Sequence, residues 1–347
     1  MSYTNGLDKP SDYFNTVLYT GNGGSQNITG VGFSPDWVWL KGRNNANNHN
    51  LNDKVRGVNK QLYADLNNAE TTATTHLTAF DSDGFTLGND GAVNGSSDTY
   101  VSWNWLAGGS ASSNSDGSTT SSVSANTTAG FSIVSWTGTG SATTVGHGLG
   151  AVPKWIIVKN RDTARNWNVY YGDETDYLQL NDSGATIDND NKWNDTAPTS
   201  SVFTVNTSSD VNKSGDGMIA YCFAEKKGYS KFGSYVGNSS ASDGSYIDGT
   251  YVYCGFRPAF IMAKASTRSE NWYIFDNKRD GRNPDNQQLY ADASSAEGTT
   301  DYIDITSNGF RLVQKNFGLN SNGDTYIFMA FAESPFVTST GIPTTAR

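Results

Sequence analysis

The sequence predicts an all-β protein made of three tandem copies of one antiparallel β-sandwich domain, of jelly-roll or lectin-like type. Three observations predict it. First, a proline-led apolar run ending in lysine occurs three times, as Pro35-Asp-Trp-Val-Trp-Leu-Lys41, Pro153-Lys-Trp-Ile-Ile-Val-Lys159 and Pro258-Ala-Phe-Ile-Met-Ala-Lys264. Second, Phe85, Phe203 and Phe310 begin a second element 50, 50 and 52 residues past those prolines, and a closing element begins at Asp98, Asp216 and Asp324, 13, 13 and 14 residues further on. Fixed order at fixed spacing is the mark of a tandem array. Third, 37 Gly among abundant Ser, Thr, Asn and Asp supply turn chemistry, and 18 Tyr, 16 Phe and 9 Trp supply strand-forming bulk. Apolar content is low at 36%, but 12% aromatic residues bury enough area per side chain to offset the scarcity of smaller hydrophobes.

Residues 1–13 are polar and turn-rich and read as an N-terminal arm. Phe14 to Gly21 alternates like a first strand and recurs as Phe131 to Gly138 and Phe232 to Gly237. Proline suits the start of the strand that follows, where its missing N–H disturbs no ladder bond. Trp37 to Leu40 and Trp155 to Val158 are apolar on both pleat faces, which predicts central strands covered on both sides. No stretch shows a convincing helical period. The boundaries that follow are repeat one at 14–108, a Ser/Gly/Thr linker at 109–129, repeat two at 130–228, repeat three at 229–335 and a tail at 336–347. The linker has almost nothing to bury and reads as a flexible tether that lets the first domain swing. Copies two and three follow without a spacer and are expected to pack as a unit.

A net charge of −10 with scattered Lys and Arg argues against nucleic acid as a partner. The N-terminus lacks a charged region followed by an apolar core, and no run of about 18 apolar residues occurs, so neither export by a signal peptide nor membrane insertion is expected. Cys222 and Cys254 lie in apolar runs and read as buried small hydrophobes, although a disulfide between them stays open.

Candidate chemistry is sparse, and no catalytic residue, metal site or cofactor is assigned. Of three histidines only His147 lies in a repeated element, and it reads as a turn residue. Glu225 and Glu333 are equivalent between copies two and three, with Ala107 in copy one, which suggests strand ends rather than a glycosidase pair. Asp188 to Asp195 resembles the start of a calcium loop, but Lys192 and Thr199 stand where oxygen ligands belong. Asp53 and Asp276 share a position that Tyr171 fills in copy two, again pointing to architecture. Trp167, Trp193 and Trp272, in Asn- and Asp-rich surroundings, are the candidates for stacking on sugar rings. Trp167 and Trp272 lie 14 residues past their prolines, as a shared core aromatic also would.

The motifs Tyr19-Thr-Gly-Asn-Gly23, Gly30 to Lys41, Asp53-Lys-Val-Arg-Gly57, Phe80 to Gly88, Asp98 to Trp105 and Val145-Gly-His-Gly-Leu-Gly150 resemble a family of repeated domains in virion structural proteins of marine bacteriophages. The resemblance covers roughly residues 12–335, and copy three departs most, with a longer insert at Ser239 to Thr250. It implies a non-enzymatic virion component assembled in the host cytoplasm: a fibre or head appendage, homo-oligomeric, fixed to other virion proteins through its arm or tail. Host surface glycans are its candidate ligand. The alternatives are an architectural capsid decoration protein without ligand and, from another class, a glycan-depolymerising hydrolase.

Overall fold

The computed structural model describes residues 7–285 and 287–344. Each copy is a two-sheet antiparallel sandwich with the same strand order. In copy one the large sheet runs Phe14–Thr20, Thr99–Trp105, Trp37–Gly42, Asn50–Asp53, Lys60–Tyr63 and Thr71–Thr72, and the small sheet runs Gln26–Thr29, Gly84–Leu87 and Leu77–Asp81. Copy two repeats this with Phe131–Thr137, Gly217–Phe223, Trp155–Asn160, Asn168–Tyr170, Asp176–Gln179 and Ile187–Asp188 over Thr143–Gly146 and Val202–Val205. Copy three does so with Ser230–Val236, Thr325–Pro335, Phe256–Ala265, Tyr273–Asp276 and Leu289–Tyr290 over Tyr251–Tyr253, Gly309–Leu312 and Ile303–Thr306. Pro258 lies within its strand, where shifts of register on either side of it spare the ladder the bond it cannot make.

The proline-led strands are buried on both faces, and alternation explains how. Side chains point to opposite faces at every second residue, so Val38 and Leu40, Ile156 and Val158, and Ile261 and Ala263 fill the space between the two sheets of their own copy. Trp37 and Trp39, Trp155 and Ile157, and Phe260 and Met262 turn the other way into one cluster common to all three copies. Rings meet across the copies there. Trp37 stacks on Tyr221 at 4.3 Å, Phe14 on Phe331 at 5.2 Å, and Trp155 meets Trp272 edge-on at 6.1 Å. The copies therefore do not keep separate cores: the three large sheets face inward around a shared aromatic core.

The copies also close head to tail. Glu70 N–H donates to Arg161 O, Thr186 N–H to Ser266 O and Glu297 N–H to Arg43 O, at 2.7, 2.9 and 2.8 Å, so copy one joins two, two joins three and three joins one through equivalent backbone bonds. Three equivalent seams make a pseudo-threefold ring within one chain.

The linker at 109–129 is likewise not a tether. Ser112–Asn114 and Ser121–Asn126 form a hairpin on the edge of copy two's large sheet, with Val123 opposite Val134, and Gly108 N–H and Gly109 N–H bond to Ser124 Oγ and Asp36 Oδ2. Ladder and hydroxyl bonds hold a segment that contributes little apolar area. The first copy is thus fixed in place. The arm and tail are engaged too: Leu7 is buried in the shared core and Ser339 N–H donates to Asp8 Oδ1 at 2.7 Å. Residues 1–6 of the expected arm and 345–347 of the expected tail lie outside the described residues.

Each copy also carries a one-turn helix, at Gly91–Asn94, Ser209–Asn212 and Phe317–Asn320, capped by Asp90, Ser208 and Asn316. Its last residue is a buried Asn that clamps the loop after the first strand. Asn94 Oδ1 accepts from Asn22 N–H, Asn212 Oδ1 from Thr139 N–H and Asn320 Oδ1 from Asn238 N–H.

Candidate functional site

The tryptophans singled out as sugar platforms serve the ring instead. Trp167 and Trp272 are fully buried, and each donates its indole N–H across a seam, to Tyr63 O at 2.7 Å and Gln179 O at 2.9 Å. His49 holds the equivalent place in copy one, accepts from Trp39 Nε1 and faces the backbone of Tyr290 and Ala293 in copy three. Trp193 is 2% exposed, donates to Asp176 O and packs edge-on against Tyr170. None of the three can stack on a sugar from solvent. Their Asn-rich surroundings are loops whose amides satisfy backbone groups, as Asn181 does for Trp167 N–H.

Other charged groups are absorbed by the same architecture. At the seam between copies one and two, Arg56 lies against Asp53 and Glu70, Arg161 grips Glu70 with two bonds of 2.9 and 3.0 Å, and Tyr221 of copy two donates to Asp53. At the seam between three and one the set recurs as Asp276, Arg279, Glu297 and Arg43, with Trp103 donating to Asp276. The seam between two and three replaces it with hydroxyls: Tyr171 donates to Asp176 and meets Thr186 Oγ1 at 3.0 Å. The lysines that end the repeated motif, Lys41, Lys159 and Lys264, are fully buried, and each donates to two backbone carbonyls. Burial lowers Lys159 to about 7 and the other two to about 8.

His147 is buried, accepts from Leu149 N–H through Nδ1 and meets Thr199 O through Nε2, which makes it a turn clamp. Lys192, in the run resembling a calcium loop, is buried over the Tyr177 ring and bonded to Ser208 and Asp210. Among the described residues no group of His, Cys, Asp and Glu could hold a metal ion. Glu225 pairs with Lys231, and Glu333 with Arg257. Cys222 and Cys254 are buried, free thiols, each raised by burial.

What remains is a surface the copies do not share. On the outer face of the small sheet, equivalent cross-strand pairs are Asn27 opposite Thr86, Thr144 opposite Thr204 and Tyr251 opposite Arg311. Two residues on, Thr29, Gly146 and Tyr253 are equivalent. Copy three alone presents aromatic rings there, with Tyr251 at 45% and Tyr253 at 61% exposure, and Tyr246 of its insert at 65%. Same-face residues on one strand stand about 7 Å apart. Gly309 lies opposite Tyr253, where a Cβ would strike Val252 O and meet the Tyr251 hydroxyl at 3.1 Å.

Two hollows touch this strand, one at Tyr251 and the other at Tyr253. One, of about 580 Å³, is lined by Tyr251, Arg257, Arg282, Asp304, Thr306 and Arg311. The other, of about 210 Å³, is lined by Tyr253, Glu225, Lys227, Lys231, Cys254 and Phe336. Arg311 is held by Asp304 at 2.8 Å and Asp248 at 3.1 Å, and Arg282 by Asp280 at 3.1 Å with 83% of its side chain in solvent. The longer insert of copy three marked it as divergent in the sequence, but only aligning the copies strand by strand exposes Tyr251 and Tyr253.

No curated protein and no solved structure matches the chain. One family model does, described as a domain of unknown function, DUF7483, and it matches residues 9–335. That span takes in all three copies and the hairpin between the first two as one unit, as the shared core requires, and the chain belongs to this family.

Proposed function

We propose that the chain is a non-enzymatic structural component of a bacteriophage virion, exposed on a fibre or head appendage, which contacts host surface glycans through the outer sheet face of copy three. The virion role is supported by the resemblance of the repeated motifs. The observation that carries the contact surface is internal to the chain. What repeats is buried in the ring and its seams, whereas exposed rings occur on copy three at positions where the other copies carry Asn, Thr or Gly. Tyrosine offers an apolar face to sugar C–H groups and a hydroxyl to their rim. The two terminal segments meet at Asp8 and Ser339, which is compatible with their docking together to other virion proteins.

Gold-labelled antibody on whole particles tests the virion role, and labelling of neither head nor tail refutes it. The purified chain should bind host cells, and Tyr251→Ala with Tyr253→Ala should weaken that binding. Attachment to empty heads with no affinity for cells would favour the decoration reading, which the closed ring also suits. Release of reducing sugar from host polysaccharide, lost in Glu225→Gln, would favour the hydrolase.

A further inference from the structure

At the seam between copies two and three we infer a docking site for a partner protein that presents an extended segment bearing an arginine. The segment's backbone pairs with the edge of strand Ser230–Val236, and its guanidinium enters the hollow beside Ser234. This goes beyond the glycan reading, does not depend on it and uses another part of the surface. The hollow, of about 430 Å³, is lined by Tyr171, Asp173, Asp176 and Thr186 from copy two and by Ser234 and Ser266 from copy three.

Its chemistry follows from what sets this seam apart. The three equivalent backbone bonds place Ser266 where the other seams have Arg161 and Arg43, and Thr186 where they have Glu70 and Glu297. Arg56 and Arg279 follow Asp53 and Asp276 by three residues, whereas the copy-two loop, Tyr171-Gly-Asp-Glu-Thr-Asp176, contains no arginine. Two seams thus match two carboxylates with two guanidiniums, and the third has neither guanidinium. Carboxylates remain there. Among the described residues no lysine or arginine lines the hollow, while Asp173 and Asp176 do. They accept hydrogen bonds from Thr175 and Tyr171, and Asp188 lies directly across the strands from Asp176. Burial, then the charges of Asp173 and Asp188, raises the Asp176 carboxyl above its ordinary range. Arg268, next to the lining, is already held by Glu270 and Asp324. A guanidinium, with five donors in a planar fork, is the cation whose shape suits a carboxylate pair among hydroxyls.

The edge beside the hollow is open. In copy two the equivalent strand, Phe131–Thr137, is covered by hairpin strand Ser121–Asn126, with Ser122 opposite Ser135. Ser234 is the counterpart of Ser135, since they pair in matching register with Ile327 and Ile219. Among the described residues no strand covers the outer edge of Ser230–Val236. Gly237 N–H bonds to Asp324 O and Ala332 N–H to Tyr229 O, so by alternation the N–H and C=O of Ser234 point outward. No bulge or proline, two of the usual protections of an edge, interrupts this strand, and Val236 is 54% exposed. A residue added opposite Ser234 shares its face of the sheet, the face that lines the hollow, so the arginine belongs at that position. The edge of copy one, Phe14–Thr20, is also terminal in its sheet, but its seam already holds Arg43 and Arg279.

The test titrates the full chain into a fluorescein-labelled peptide of the Ser121–Asn126 sequence carrying Ser122→Arg, read by fluorescence polarisation. A second peptide has citrulline at that position, which keeps the shape and removes the charge. The arginine peptide should bind about ten-fold tighter or more, the worth of a charge-assisted hydrogen bond. Asp176→Asn should remove most of that preference. Ser234→Pro, at an edge position that tolerates proline, should abolish binding of both peptides with unchanged circular dichroism, and Asp176→Asn alone decides if the proline variant fails to fold. Equal binding of the citrulline peptide, or a preference untouched by Asp176→Asn, overturns the arginine anchor. Binding that survives in folded Ser234→Pro overturns the edge pairing. Failure of both peptides to bind at about 1 mM chain, the range of a weak complex, overturns the site as a whole.

Discussion

Replacing Trp37 by Ala tests whether three copies share one core. Trp37 is 1% exposed, stacks on Tyr221 of copy two with ring planes 18° apart, and meets Trp39, Trp105, Phe131 and Phe223 at centroid distances of 4.5–6.1 Å. Deleting a buried Trp costs about 3–5 kcal/mol, cavity included. Unfolding entropy is about 2.1 cal/mol/K per residue, so a single cooperative unit of this length has about 0.7 kcal/mol/K, and a loss of about 4 kcal/mol lowers its midpoint by about 6 °C. An independent domain of a third that length would fall by nearly 20 °C while its neighbours stayed put. Scanning calorimetry separates the two outcomes. We expect one endotherm, displaced by about 6 °C as a whole in Trp37→Ala, and a comparable whole displacement in Trp136→Ala, whose ring packs against Phe203 inside copy two. A wild-type trace that resolves into several transitions, of which Trp37→Ala moves one, refutes the shared core.

Arg56→Ala should cost about 3–5 kcal/mol in denaturant titration, because Asp53 is left buried without its cation. At the hydroxyl-rich seam Tyr171→Phe should cost only about 0.5–1.5 kcal/mol, the worth of an ordinary hydrogen bond, and equal losses at the two seams would contradict their different chemistry. Burial pushes Asp285 up to about 7 despite the opposing charge of Arg279. Its raised folded pKa contributes stability below the unfolded value near 3.8 that is lost as pH rises toward 7. Asp285→Asn should therefore gain on wild type between pH 4 and pH 8 in thermal melts, and a difference flat with pH would count against it. Lys159, lowered by burial to about 7, runs the other way: wild type regains stability from pH 7 to about 10.5 as the folded state sheds its proton first. The advantage of Lys159→Met at pH 6 should shrink by pH 10, as melts at both values would show.

The all-β class was legible because aromatic and β-branched runs alternate with turn residues. The proline-led strands could be read as covered on both faces, since Trp37 to Leu40 leave no polar face. What covers the second face could not be read, because a sequence of three similar copies looks the same whether the copies are beads or a ring. Trp167 and Trp272 show the cost of that ambiguity. Their amide-rich neighbourhood suggested a wet surface, and their common spacing, which pointed to a core role, was the truer signal. The hairpin at 112–126 was missed because Ser, Thr and Gly pair through backbone and hydroxyl groups without an apolar alternation to reveal them. The three helices were missed because four residues carry no period, although Asn94, Asn212 and Asn320 stand equally far before Asp98, Asp216 and Asp324.

Covalent fusion explains why the ring is uneven. Three separate identical chains in this arrangement would present the same seam and the same outer face three times, as a closed cyclic assembly must. One chain escapes that constraint. Two seams keep a buried Asp–Arg–Glu–Arg set and the third relies on Tyr171 and Thr186. Likewise two small sheets keep a plain polar face, while the third carries Tyr251, Tyr253 and Arg311. Exposed rings on every copy would add apolar surface and raise the risk of self-association. Confining them to one copy leaves the equivalent positions of the other two polar or bare.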